Sequence, residues 1–347
     1  MSDQAHFADG GPGRFSAPTR LASAISRFSE QIVPASFLLV LAVVLSLVSP
    51  SFLSLGNFLD IARVVSIIGV MAIGMTLVIL TGGIDLSVGG TFALASVVTA
   101  SFIPGAFSEA PTSIGFGLPV PIAIALGLAA GAGIGFVNGF IVARSKVEPF
   151  IVTLATMTIV RGLTYLYTGG FPTLFRPMPA SFQWVGQGYA AGLPTPTLFF
   201  AIVVALGYWV TRRTALGRSI YAIGGNETAA RLSGLDVRKV KIAAYTFTGA
   251  LAALSGIILS SRVGAAEPTA GVGYELDVIA GVVIGGTSLA GGRGSIVSTV
   301  LGVFILGTIS NGLNIVGVPT YYQYVAKGLL LIFAVGLDAQ MRRTQRR

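Results

Sequence analysis

Apolar runs of about 17 to 25 residues recur along this chain of 347 residues, and each is long enough for a helix to cross a bilayer. Lipid offers no hydrogen-bond partners, so a crossing segment has to satisfy its own backbone, and a helix does so. The chain is 53% hydrophobic and 10% charged, whereas soluble domains are nearer about 25% charged. The fold class expected is therefore an all-α polytopic membrane protein. Ten spans are drawn from the pattern: 32–53, 62–81, 86–104, 118–143, 149–168, 195–211, 240–261, 274–290, 294–315 and 320–337. Residues 1–31 read as a polar cytoplasmic tail, 32–337 as the transmembrane domain and 338–347 as a basic cytoplasmic tail. Arg14, Arg20 and Arg27 precede the apolar run 32–48, which no convincing small-x-small site follows. That run is therefore expected to be an uncleaved first span.

Charge sets the orientation. With the N-terminus inside, the inner loops and tails hold Arg14, Arg20, Arg27, Arg144, Lys146, Arg212, Arg213, Arg218, Arg231, Arg238, Lys239, Lys241, Arg293, Arg342, Arg343, Arg346 and Arg347. The outer loops hold only Arg63, Arg176 and Arg262. Basic loops mark the cytoplasmic face, so both termini are expected inside. The net charge of +9 is loop charge of this kind and does not point to nucleic acid. Arg161 and Lys327 fall within spans, where long side chains are expected to snorkel to the interface.

Several chemistries find no residues to carry them. There is no cysteine, and the one histidine, His6, lies in the N-terminal tail, so no metal site is expected. No G-x-x-x-x-G-K-[ST] sequence occurs, so the chain carries no phosphate-cradling loop and no bound cofactor is expected.

A polar island, 212–241, interrupts this apolar pattern with a helix signal. Asn226 is placed to cap it. Glu227 lies toward its positive end and Arg231 toward its negative end. Gly234 can take the left-handed conformation that stops it. Ala229 and Ala230 are expected to leave one face small, so that a partner's groove can close on 226–235, with Leu232 in the same turn. A solvated connector is the plain alternative. Elsewhere Gly127, Gly131, Gly135 and Gly139 recur every fourth residue and form a smooth face for helix packing; Gly281 and Gly285 repeat the pattern once. The long outer loop 169–194, with Phe182 and Trp184, is a candidate dock for a second partner.

A weak internal repeat links the halves. Ile84-Asp85-Leu86-Ser87-Val88-Gly89 opens the third span and Leu276-Asp277-Val278-Ile279-Ala280-Gly281 the eighth; Asn138-Gly139 in the fourth echoes Asn311-Gly312 in the ninth. An offset of five spans inverts one copy relative to the other, the plan of many transporters. Asp85, Ser87, Asn138, Asp277 and Asn311 are thus candidates for the repeat motif or the pathway between the halves. Asp85 and Asp277 each start a span, where helix capping is the simpler role.

Four segments carry a specific resemblance: Thr81-Gly82-Gly83-Ile84-Asp85-Leu86-Ser87-Val88-Gly89; Lys146-Val147-Glu148-Pro149-Phe150-Ile151-Val152-Thr153-Leu154; Gly217-Arg218-Ser219-Ile220-Tyr221-Ala222-Ile223-Gly224-Gly225-Asn226-Glu227-Thr228-Ala229-Ala230-Arg231-Leu232-Ser233-Gly234; and Gly285-Gly286-Thr287-Ser288-Leu289-Ala290-Gly291-Gly292-Arg293-Gly294. The chain resembles, over about 35–337, the ribose/xylose/galactose-type permease subunits of bacterial ABC importers. The resemblance implies a type II importer-like fold with an inverted five-helix repeat, paired with a second permease subunit, identical or related, in the inner membrane. It implies a cytoplasmic ATP-binding subunit that holds ATP and Mg, and a periplasmic sugar-binding protein. It also makes 226–235 the helix that couples to the ATPase. Nucleoside or branched-chain amino acid import is the alternative within this class, and an ion-coupled secondary transporter is the rival outside it.

Overall fold

Of the membrane-length helices described, the most buried runs from Leu55 to Leu80, with helices of the second part of the chain packed around it. The structure is a computed structural model that describes residues 20–108, 115–145 and 147–345. The tail residues 1–19, Lys146, Arg346 and Arg347 lie outside the described residues. In chain order the helices of the first part are α1 (Arg20–Val48), α2 (Leu55–Leu80), α3 (Val88–Phe102), α4 (Val120–Arg144), α5 (Pro149–Thr168) and α6 (Ala180–Gln187). Those of the second part are α7 (Thr195–Arg213), α8 (Ala215–Gly225), α9 (Glu227–Leu232), α10 (Val237–Val263), α11 (Tyr274–Ile284), α12 (Ile296–Ile315) and α13 (Thr320–Gln345).

Seven of these are long and apolar enough to cross a membrane: α1 over its part Gln31–Val48, α2, α4, α5, α7, α10 and α12. The sequence spans differ from the helices at several ends. α1 starts at Arg20, inside the expected tail, and ends at Val48, where Pro50–Leu53 turns as a 3-10 helix. α13 runs on into the expected basic tail. The eighth span is cut to the 11 residues of α11, about 16 Å of helix, roughly half the ~30 Å hydrocarbon thickness. Gly286, at φ +98°, takes the chain out of the helix there, a conformation open to glycine and strained for other residues.

Beyond Arg63, α2 is apolar on nearly all sides, which suits a helix enclosed by others. Ser54 caps it by accepting from the Asn57 amide. α10 crosses it where Gly74 has no side chain: a β-carbon there would sit 2.8 Å from Thr248 Cα. Ser255 Oγ of α10 donates to the Ile67 carbonyl at 2.9 Å. On another side the hydroxyls of Thr76 and Thr299 of α12 meet at 2.7 Å. In the surrounding layer α3 packs on α4 and α5, while α11 packs on α12 and α13. α4 packs on α10, and α12 on α2.

One end of the bundle carries short strands: β1 (Ala106–Phe107), β2 (Thr173–Phe175), β3 (Tyr189–Ala190), β4 (Leu193–Pro194) and β5 (Ala265–Ala266). β2 lies between β1 and β5, antiparallel to both, and β3 and β4 form a separate hairpin. The loop 169–194 is thus an ordered layer. Ser261 Oγ accepts from the Gly186 amide at 2.8 Å and donates to the Phe182 carbonyl, fastening α6 to the end of α10. Phe182 is fully buried and belongs to the core, so of the two aromatic docking candidates only Trp184 meets the surface.

Candidate functional site

The polar stretch 212–241 folds as two short helices at the opposite end of α10 from that layer. Thr214 caps α8 by accepting from the Gly217 amide at 3.1 Å. Asn226 caps α9, its side chain accepting from the Ala229 amide at 3.0 Å. Gly234 takes φ +85°, and the Leu235 amide reaches back to the Ala230 carbonyl at 3.1 Å, which closes a helix end in the Schellman manner. Glu227 pairs with Arg231 at 2.8 Å and with Lys241 of α10 at 2.7 Å. The hydrogen bond from Lys241 is the main reason that the Glu227 carboxyl lies below the usual carboxylate range.

The two alanines part company. Ala229 is exposed, but Ala230 is only 5% exposed and faces the body of the protein. The small docking face expected from the pair does not form, because one turn of helix cannot point adjacent residues the same way. Leu232 instead stands 83% exposed, with Ala229, Arg231 and Gly234 also exposed beside it. An isolated leucine so open, on a capped and ion-paired turn, is the apolar contact that the segment offers.

Glycines of two of the segments that carry the resemblance, 217–234 and 285–294, join this segment to the core. A β-carbon on Gly224 would strike the Leu80 carbonyl and the Gly292 amide. One on Gly291 would lie 2.9 Å from the Gly82 amide and 3.0 Å from Gly224 Cα. The Gly292 amide donates to the Leu80 carbonyl at 3.0 Å, and the Tyr221 hydroxyl donates to the Gly294 carbonyl at 2.8 Å. The end of α8, the end of α2 and the α11–α12 loop therefore meet backbone to backbone. The paired glycines at 224–225 and 291–292 were the signal available in the sequence.

Three of the five repeat-motif residues come together. Asp85 Oδ1 accepts from the Ser87 amide at 2.9 Å and from its hydroxyl at 2.6 Å, and Asn138 of α4 donates to Ser87 Oγ at 2.8 Å. All three are buried. Asp85 is not the helix cap expected of it. It closes a turn ahead of α3, whose N-cap is Ser87, and the chain of bonds ties that turn to α4. Its repeat partner behaves differently. Asp277 lies within the first turn of α11, whose N-cap is Gly273, and bonds Lys327 of α13 at 2.8 Å. Lys327 is therefore paired. Arg161 is held by the α10–α11 loop, donating to the carbonyls of Ala270 at 2.8 Å and Pro268 at 3.2 Å. Asn311 donates to Asn57 at 2.8 Å, tying α12 to the start of α2.

The glycine stripe of α4 lies mainly against α10. A β-carbon on Gly131 would meet Ala253 Cβ and the Gly249 carbonyl at 2.5 Å, one on Gly135 the Tyr245 carbonyl, and one on Gly139 Ile242 Cα at 2.7 Å. Gly127, at the far end, faces the Thr99 hydroxyl of α3. Gly281 and Gly285 of α11 meet α12 in the same way, at Val303 and at Ser298–Thr299.

A bundle of membrane-length helices, braced by buried polar pairs and tied by glycines to a capped surface helix, has the build of a multi-pass membrane permease. The comparison of the sequence with known families makes this specific: the chain belongs to the family described as branched-chain amino acid transport system / permease component, whose model matches residues 57–335. It is 48% identical, over 87% of its length and 91% of the relative's, to the ribose import permease protein RbsC of Escherichia coli (strain K12). It is 46% identical to the protein of that name from Bacillus subtilis (strain 168), over 89% of this chain and 92% of the relative. The xylose transport system permease protein XylH of Escherichia coli (strain K12) is 34% identical, over 84% of this chain and 87% of the relative. No solved structure matches.

Proposed function

We propose that this chain is the transmembrane subunit of an ATP-driven importer that carries a monosaccharide, ribose or a close analogue, inward across the bacterial inner membrane. The observation that carries this reading is the near-full-length likeness to ribose import permeases at 46 and 48% identity; the lower 34% to a xylose permease favours ribose over xylose. The family description supports branched-chain amino acid import as the second reading. In the proposed assembly two permease subunits pair, a periplasmic binding protein delivers the sugar to the face carrying α6 and the strands, and a cytoplasmic subunit binds ATP and Mg. Both termini are inside, as the distribution of basic residues supports. The matched pairings α3–α4 with α11–α12, and α3–α5 with α11–α13, support two inverted five-helix halves that rock about the pathway between them.

In this reading α9 is the contact for the ATPase and Leu232 its anchor. The test is Leu232→Asp in the complete transporter, with uptake of labelled ribose and of leucine and co-purification of the ATPase as readouts. A charge left unpaired in a closed contact costs several kcal/mol as an order of magnitude. The variant is expected to insert normally, lose the ATPase and lose uptake by about 100-fold or more. Retained ATPase at the native rate would remove α9 from the contact, and native uptake of leucine but not ribose would move the cargo to the second reading. Ala230→Asp is the wrong probe, because its side chain enters the permease itself.

A further inference from the structure

The close seam between α4 and α10 leaves a groove along one side. It measures about 550 Å³ and is walled by Phe136 of α4 and by Ile242, Ala243, Phe247 and Ala250 of α10. Thr246, also in the wall, donates its hydroxyl to the Ile242 carbonyl at 2.8 Å, so it brings no unmet polar group. From Lys239 to Ala250 the groove covers about 16 Å of helix, the depth of one leaflet of a core about 30 Å thick. Its mouth is basic. Lys239 lines that end, Arg238 is exposed next to it, and Arg144 is exposed over the Phe140 ring at 4.3 Å. Gly135 meets Tyr245 and Gly139 meets Ile242, so the helices run antiparallel and Arg144 falls level with the first turn of α10. The carboxylate set against Lys239 is that of Asp236, at 3.2 Å, and both side chains are more than half exposed. An ion pair of that kind holds weakly and yields to a stronger anion.

We propose that this groove is a binding site for one anionic phospholipid of the cytoplasmic leaflet. One acyl chain lies along the apolar wall, and the phosphate sits between Lys239 and Arg144. The length of a single leaflet, the apolar wall and the cationic end together match that occupant, and anionic lipids are drawn to basic residues at the cytoplasmic surface. The assignment rests on the proposed orientation only for which leaflet supplies the lipid.

The test uses the full chain, purified in neutral detergent without partner subunits or sugar, and measures retained lipid by native mass spectrometry. Phosphatidylglycerol is expected to be held in preference to phosphatidylcholine. Lys239→Gln and Arg144→Gln are each expected to cut that preference roughly fivefold. Filling the groove by Ala243→Trp, or by the milder Ala250→Leu, is expected to release the lipid while the protein keeps its native elution profile and helix content. Undiminished phosphatidylglycerol on the groove-filled proteins would overturn the site. So would groove filling that converts a dimer to a monomer without changing the lipid, because a second copy would then be the occupant. Since no transport is measured, loss of the importer reading would leave this result standing, and labelling of Thr228→Cys from outside would change the leaflet but not the site.

Discussion

Glu227 illustrates what single residues contribute. Its carboxylate joins α9 to α10 through Lys241 and steadies α9 through Arg231. Its folded pKa lies below the ordinary value. The stabilisation is therefore present above the unfolded pKa and is lost as pH falls through the folded one. Glu227 is 39% exposed, so solvent screens much of the effect. Glu227→Gln is expected to speed amide hydrogen exchange across 229–235 by about twofold at neutral pH and to match the native rates in acid below the folded pKa. Equal rates at neutral pH would mean that the pair holds nothing. The cap by Asn226 and the stop at Gly234 were legible in the sequence, because both act within a few residues. The direction of Ala230 was not, since packing against the body decides it. Neither were the partners of Lys327, 50 residues away, and of Arg161, whose partners are carbonyls more than 100 residues on.

Among the elements, α4 and α10 depend most on small residues. A β-carbon at Gly135 runs into the backbone of Tyr245 and Thr246, and neither is the movable end of a side chain. Gly133, on the same helix, has open space around it. Gly135→Ala is expected to cost about 1–3 kcal/mol through overpacking. Gly133→Ala is expected to be neutral or slightly stabilising, because alanine favours helix by about 1 kcal/mol over glycine. Thermal unfolding of both in detergent checks this, and equal melting temperatures would show that the seam has room. The period of four made this face readable from the sequence. The ends of the elements were harder to read. The break after Ile284 follows from the conformation of Gly286, over which hydropathy averages, and the helical start at Arg20 lies in a stretch without an apolar run.

For the whole molecule the proposed orientation is one that single cysteines test cleanly, because the sequence holds no cysteine. Ser181 on α6 and Thr228 on α9 are both exposed. An impermeant thiol reagent added to intact cells is expected to label Ser181→Cys and to reach Thr228→Cys only after lysis; the reverse pattern would invert the protein in the membrane. Between these two faces lies the place where Gly224, Gly291 and Gly82 touch. A joint made of main chain has no rotamers, so it cannot take up slack as a pair of side chains would. A displacement of α8 there would press directly on α2 and on the α11–α12 loop. A single methyl added at Gly224 would run into the Leu80 carbonyl and the Gly292 amide, so the joint has no room to spare at that residue.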